Sequence, residues 1–323
     1  MTAATFIAAA ELEAARRCVA RHARRTPVLT SRLLDDETGF RVALKAEMFQ
    51  RTGSYKIRGA LNKLRTLSEE QRRRGVVCSS AGNHAQGVAL AAALGGVRAV
   101  VVMAENATPA KVAATRGYGA EVVLHGTIWD EANERALELA AADGLTYVHP
   151  FDDLDLIAGQ ATLGFELVGD VPDVDVVVVP IGGGGLISGV ALAVKSWRPG
   201  ARVVGVESSG APGMRESVRA GRPVTLDRVD CVIDGLRVRR VGETTCRVVS
   251  ACVDEIVTLP DEEIFESVVW LMSRQKLVAE AAAAAPVAAL RRGLVRAAPG
   301  SRVACVLSGG NLGLDRLRGL SWN

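Results

Sequence analysis

Short runs of β-branched residues alternate with longer helix-like stretches along most of the chain. Between Gly75 and Val148 the runs GVVCS, RAVVVM, EVVLH and TYV are valine-rich and brief, the signature of strands. The segments between them, 83–94, 109–116 and 127–143, have the length and composition of helices. After Leu154 the alternation resumes with VDVVVVP (174–180), RVVGVE (202–207), DEIVTL (254–259) and RVACVLS (302–308). Helical stretches separate these too, including the alanine-rich segment 279–294. Strands regularly spaced by helices predict an α/β fold with parallel sheets covered on both faces. No repeat at a fixed period and no low-complexity linker interrupts the pattern.

The polar residues that break this pattern gather in four loops. In Gln50-Arg51-Thr52-Gly53-Ser54-Tyr55-Lys56-Ile57-Arg58-Gly59-Ala60 a lysine precedes a helical run, behind a turn of small and hydroxylated residues suited to capping a helix start. Lys56 then lies at the positive end of the helix dipole, a poor place for an ammonium ion and a better one for a neutral, reactive amine. Alone this means little, because most lysines near helix starts are solvated. Ser79-Ser80-Ala81-Gly82-Asn83-His84-Ala85-Gln86, Gly182-Gly183-Gly184-Gly185-Leu186 and Leu307-Ser308-Gly309-Gly310-Asn311 each read as a strand-to-helix loop. Consecutive glycines let backbone N–H groups converge on an anion at a helix start. The spacing is neither GxGxxG nor a GK[ST] loop, so dinucleotide and P-loop sites are disfavoured. Gly182, Gly183, Gly184, Gly185 and the Leu186 amide predict a phosphate cup. The histidines at 22, 84, 125 and 149 form no triad or metal spacing.

These loops, together with HPFDDLDLIAGQATLGFEL from His149 to Leu167, resemble the serine/threonine dehydratase family of fold type II pyridoxal-phosphate enzymes. The resemblance runs from about residue 10 to 315. It implies two open parallel-sheet domains of the tryptophan-synthase-β type, the smaller inserted in the larger. Residues 1–70 and 153–323 would form the large, cofactor-binding domain, and 71–152 the small one. It also implies pyridoxal 5′-phosphate held covalently by Lys56, its phosphate in the glycine cup, its 3′-oxygen near Asn83 and its ring nitrogen near the Ser308 hydroxyl. Ser80, Ala81, Gly82, Asn83 and His84 would hold the substrate carboxylate, with His84 in a binding or structural role and Lys56 as general base. A neutral hydroxyl at the ring nitrogen makes a weaker electron sink than a carboxylate partner would, which favours β-elimination over transamination. The expected reaction converts a small L-β-hydroxy amino acid, threonine or serine first, to a 2-oxo acid and ammonia.

Departures from the family pattern qualify this expectation. Ala81 stands where related serine racemases carry a serine as second acid/base, so racemisation is expected to be weak. Glu207 and the Ala211 carbonyl match a divalent-metal site of some relatives, but Gly213 replaces an acidic ligand and no metal is expected. Arg237 occupies a usually small position; facing the cleft it would favour a second carboxylate, as in 3-hydroxyaspartate, and otherwise it is a solvated arginine. A β-replacement enzyme is one alternative, although such relatives carry a lysine motif closer to SVKDR than to SYKIRG; a non-catalytic binding or regulatory subunit is another, which Lys56, Asn83, the glycine cup and Ser308 argue against. The alanine-rich stretch after Glu280 receives no functional account.

Composition narrows the partners. With 39 basic and 36 acidic side chains the net charge is only +3, too balanced to argue for nucleic acid. The basic runs QRRRG (71–75) and RVRR (237–240) read as solvated. Six cysteines show no CxxC or Cys/His metal spacing. The first residues read as an amphipathic helix, not a signal peptide, and no apolar run predicts a membrane span. A cytoplasmic enzyme is expected, a homodimer by family analogy, with no room after the Ser308 motif for the regulatory domain of longer threonine deaminases.

Overall fold

A computed structural model describes residues 6–313. Its strands are β1 (Val28–Thr30), β2 (Arg41–Ala46), β3 (Val76–Ser79), β4 (Ala99–Met103), β5 (Glu121–Leu124), β6 (Thr146–Tyr147), β7 (Val176–Pro180), β8 (Arg202–Ser208), β9 (Glu255–Leu259) and β10 (Arg302–Leu307). The helices are α1 (Ala9–His22), α2 (Arg32–Thr38), α3 (Lys56–Thr66), α4 (Glu69–Arg74), α5 (Asn83–Gly95), α6 (Pro109–Gly117), α7 (Trp129–Asp143), α8 (Leu154–Asp170), α9 (Gly185–Trp197), α10 (Gly213–Ala220), α11 (Glu243–Cys252), α12 (Asp261–Trp270) and α13 (Ala281–Arg291).

Two sheets result. One has six strands in the order β1-β2-β10-β7-β8-β9, the other four in the order β5-β4-β3-β6. Every predicted strand is present, and all pair in parallel. The expectation of purely parallel sheets fails at one place: β1 runs antiparallel to β2. Neither strand stood out in the sequence. β2 reads Arg-Val-Ala-Leu-Lys-Ala, and its last five residues are buried, Lys45 included. The alanine-rich helix α13 is also shorter than its predicted span of 279–294. It stops at Arg291, where a positive-φ Gly293 turns the chain back.

Lys45 is buried because tertiary partners neutralise it. Its Nζ lies 2.9 Å from Glu166 and 3.3 Å from Asp170 on α8, and donates to the Thr26 carbonyl. Next to it Arg58, fully buried in the first turn of α3, donates to both carboxylate oxygens of Glu47 at 2.8 Å. It also donates to both oxygens of Glu166, at 2.7 and 2.8 Å. Burial opposes the charge of each partner, yet the pairing holds Arg58 above its ordinary pKa and Glu47 below its own. The network ties α3 to the turn before it and to α8.

Helix α3 links the two sheets, packing on α8 on one side and on α5 on the other. The α5 contact is a backbone approach. A Cβ at Gly87 would sit 2.9 Å from the Lys56 carbonyl carbon, so only glycine lets α5 lie against the start of α3.

Candidate active site

Three loops meet at the C-terminal ends of the strands, where ligands collect in open parallel sheets. The turn before α3 is stitched to the loop after β10 by main-chain bonds. Tyr55 N–H donates to the Ser308 carbonyl at 3.1 Å and Gly310 N–H to the Gly53 carbonyl at 2.9 Å, with a bridge between Ser54 and Gly309. This stitching overrules the expected hydroxyl cap: the helix has Tyr55 at its N-cap with helical backbone angles and no side-chain cap. Thr52 instead turns its hydroxyl to the Ser54 carbonyl, and the Ser54 hydroxyl is buried without a partner among the described residues.

Lys56 projects from the first position of α3. Its Nζ donates to the Pro150 carbonyl at 2.7 Å and lies 5.4 Å from the centre of the Tyr55 ring. Burial pushes the amine down from 10.5 to about 8, with Glu280 pulling it partly back. Roughly a tenth of the amine is therefore neutral at pH 7, and the cause of the lowering is burial.

The residue after Pro150 joins this amine to the four-glycine loop. The Phe151 ring fills the space beside Gly183, where an added Cβ would lie 2.2 Å from it. A Cβ at Gly182 would lie 2.3 Å from the Gly235 carbonyl oxygen. Gly184 has φ +92°, a left-handed conformation, and caps α9, whose first residues are Gly185 and Leu186. The amides of Gly182, Gly183 and Gly184 donate no hydrogen bond among the described residues, so they remain open at a helix N-terminus. Ser308 is 3 % exposed, and its hydroxyl likewise has no partner among the described residues.

The opposite wall comes from the four-stranded sheet. Asn83 begins α5, and its amide nitrogen donates to both oxygens of Glu280 at 2.8 and 3.0 Å. Its amide oxygen accepts from Asn311 at 2.7 Å. Glu280 had no role in the sequence reading. It occupies the N-cap position of α13 without a side-chain cap bond, and its own N–H donates to the Gly309 carbonyl, beside Ser308. Burial pushes its carboxyl up, while the Asn83 amide and Lys56 pull the other way. A lone acid opening an apolar, alanine-rich helix was the available signal.

In the remainder of this loop the Ser80 hydroxyl accepts from Gly82 N–H at 3.1 Å, closing a small turn, and Ala81 is half-buried. A Cβ at Gly82 would meet nothing within 4 Å, so the loop faces open space. His84 points away, buried, with Nε2 3.0 Å from the Val148 carbonyl. Burial holds it down at about 3, neutral and a feeble base, which accords with a structural role.

Two side positions are also resolved. The Glu207 carboxylate accepts from the amides of Met214 and Arg215 at 2.7 and 2.9 Å, covering the start of α10. No group of three or more metal-ligating side chains occurs among the described residues. Arg237 is exposed, and its side chain makes no hydrogen bond or ion pair among the described residues.

The family profile for pyridoxal-phosphate dependent enzymes matches residues 19–309. The chain belongs to this family. Its sequence is similar to the L-threonine ammonia-lyase of Thermotoga maritima, at 46% identity over 95% of this chain and 76% of the relative. It is similar also to the catabolic L-threonine dehydratase of Staphylococcus aureus, at 43% identity over 98% of this chain and 92% of the relative. Among solved structures, maize serine racemase superposes with a TM-score of 0.91 at 34% identity, covering 96% of this chain and 95% of the other.

Pyridoxal phosphate presents an aldehyde, a ring nitrogen, a phenolic oxygen and a phosphate. The cleft offers a complement to each: an amine with pKa about 8, a free hydroxyl on Ser308, the Asn83 amide, and the open glycine amides. The residues present therefore fit the cofactor of a pyridoxal-phosphate-dependent enzyme.

Proposed function

We propose that this enzyme is an ammonia-lyase that removes water and then ammonia from L-threonine or L-serine, leaving a 2-oxo acid. The similarity to threonine ammonia-lyase and dehydratase supports the reaction type. The observation that carries it is the bond from Tyr55 N–H to the Ser308 carbonyl, which sets an uncharged hydroxyl beside the Lys56 turn. The bound cofactor supplies an electron sink for bond breaking at the substrate α-carbon. Lys56 would hold it through its amine, and Gly182, Gly183, Gly184, Gly185 and Leu186 would hold its phosphate through their N–H groups. The Ser308 hydroxyl would partner the ring nitrogen without enforcing a charge there, and Asn83, held by Glu280, would partner the phenolic oxygen.

The chain's own residues then manage the substrate. Ser80, Ala81, Gly82 and Asn83, with the backbone amide of His84, hold its carboxylate in the field of the α5 dipole, while the buried His84 ring stays on the Val148 carbonyl. Lys56, whose amine burial brings down to about 8, would take the α-proton as general base in its neutral form, a fraction that grows as pH rises toward 8. Phe151 and Tyr55 exclude water from that proton. Ala81 offers no second proton donor, so racemisation is slow.

Residues 1–70 with 153–323 and residues 71–152 act as two domains around the cleft. The chain works in the cytoplasm, where six free thiols are stable, and no helix among the described residues is long and apolar enough to cross a membrane. Phe49 and Val278, each nearly half exposed, flank a cavity of about 300 Å³ with Met48 and Leu277, a face suited to a second copy in a homodimer.

Ammonia and 2-oxo acid release are to be measured with L- and D-threonine, L-serine and 3-hydroxyaspartate. Turnover of the two L-hydroxy amino acids is expected. A product retaining its amino group, made from O-acetylserine and an added nucleophile, would overturn the lyase reading.

A further inference from the structure

The carbonyl of Ser79 poses a problem of strand geometry. In β3 the carbonyls of Val77 and Ser79, two residues apart, point to the same side, toward β6. The Val77 carbonyl is met by Val148 N–H at 2.8 Å. β6 pairs with β3 only through Val76↔Thr146 and Val77↔Tyr147, and beyond Val148 the chain departs toward Pro150 and the glycine loop. No strand remains to satisfy Ser79, the last residue before the Ser80–His84 loop. The donor comes from α7: the indole Nε1–H of Trp129 reaches the Ser79 carbonyl at 3.2 Å.

Trp129 is an unusual residue for that position. It is the first residue of α7 and 47 % exposed, with Ile128 beside it 55 % exposed. An aromatic side chain left half in water earns its place through a contact, and this one's polar atom is spent on the base of the carboxylate loop. One turn on, on the same face of α7, Asn133 accepts from the Tyr147 hydroxyl at 2.5 Å. Tyr147 begins an edge-to-face row with His149 and Phe151, the ring against the glycine loop. The start of α7 thus braces both the loop after β3 and the segment after β6.

We propose that Trp129 is a positioning residue for substrate binding, fixing through the Ser79 carbonyl the loop whose amides receive the amino-acid carboxylate. The inference rests on the proposed role of residues 80–84 as the carboxylate loop. Trp129 does not touch the reacting atoms; it sets where the first amides past β3 point. Losing its N–H therefore weakens the amino acid and leaves the bound cofactor undisturbed.

The experiment compares wild-type holoenzyme with Trp129→Phe, which keeps an aromatic ring and deletes the donor. KM for L-threonine is expected to rise about five- to tenfold, the scale of one lost hydrogen bond, with kcat within about twofold and Tm and visible absorbance unchanged. Trp129→His, which retains a ring N–H, is expected to recover part of the loss. The same comparison is made with L-alanine, which lacks a β-leaving group, its Kd read from the change in visible absorbance. That second readout is independent of turnover, so inactivity of the wild type toward hydroxy amino acids would count against the lyase reading alone. Equal Kd values in wild type and Trp129→Phe would overturn the proposal. Should the phenylalanine variant not fold, hydrogen exchange on the wild type decides. Peptides covering residues 79–84 and Trp129 must gain protection together on adding L-alanine, and protection of the loop alone would overturn it.

Discussion

The two walls of the cleft are held by different kinds of bond. On the side of the six-stranded sheet, the Lys56 turn, the Ser308 loop and the start of α13 are joined main chain to main chain, by Tyr55 to Ser308, Gly310 to Gly53 and Glu280 to Gly309. On the side of the four-stranded sheet, the links that cross are side chains: Asn83 to Glu280 and Asn311, and the ion pair of Lys111 with Asp234 at 3.3 Å. Backbone bonds survive substitution and resist displacement; a few half-exposed side-chain bonds break and reform at little cost. The difference separates a wall closed by main-chain bonds from one joined to it through side chains, whose attachment single substitutions can remove.

That contrast can be broken from either side. The largest effect is expected at the main-chain-linked wall from Lys56→Ala, which removes both the proposed cofactor attachment and the proposed base. Ammonia release should fall by on the order of 10³ or more, and the visible absorbance of the purified protein should vanish. Next comes Gly182→Ala. Its methyl would lie 2.3 Å from a backbone oxygen that has little freedom to retreat, and overpacking of this kind costs about 1–3 kcal/mol. Cofactor retention, followed by dialysis and absorbance, should weaken roughly ten- to a hundredfold through strain at the phosphate cup.

Glu280 joins the two walls, and Glu280→Gln sharpens the comparison. Turnover is expected to drop about tenfold, the scale of a lost charge-assisted hydrogen bond to Asn83. The variant also carries a signed pH effect. Glu280 raises the Lys56 pKa against burial, so removing its charge must lower that pKa below about 8. The rate at which cofactor-free protein takes up pyridoxal phosphate follows the neutral amine. It should rise with pH and level off above about 8 in the wild type, and level off at lower pH in the variant. A plateau only near 10.5 would show an ordinary, solvated lysine. The smallest effect belongs to the side-chain-linked wall: Lys111→Ala breaks a pair whose side chains are 41% and 65% exposed, and turnover should change by about threefold or less.

What the sequence disclosed follows the same division. The valine runs and the glycine loop carry local signals, because strand propensity and glycine spacing are properties of neighbours in the chain, whereas Lys56, Asn83 and Ser308 were singled out by the family resemblance of their four loops. β2 was invisible since Lys45 and Arg41 make it look like surface; only Glu166 and Asp170, far along the chain, render Lys45 buriable. Glu280 was missed for the same reason, its partner Asn83 lying on the other sheet. The hydroxyl cap expected for α3 failed because a strand-like bridge to Gly309 had already fixed the turn. Local pattern identifies what can react; partners distant in sequence determine what is buried and which way it points.

The balanced cluster around Arg58 has a further implication. The buried Lys45 and Arg58, with Arg25 on Asp170, match the three acids Glu47, Glu166 and Asp170 within the protein, and the turn carrying Lys56 closes on its neighbours through hydrogen bonds of its own. Nothing in that construction waits for a small molecule to complete it. The socket should therefore be assembled at the end of folding, so that stripping the prosthetic group yields a vacant but native protein, ready to be recharged many times over.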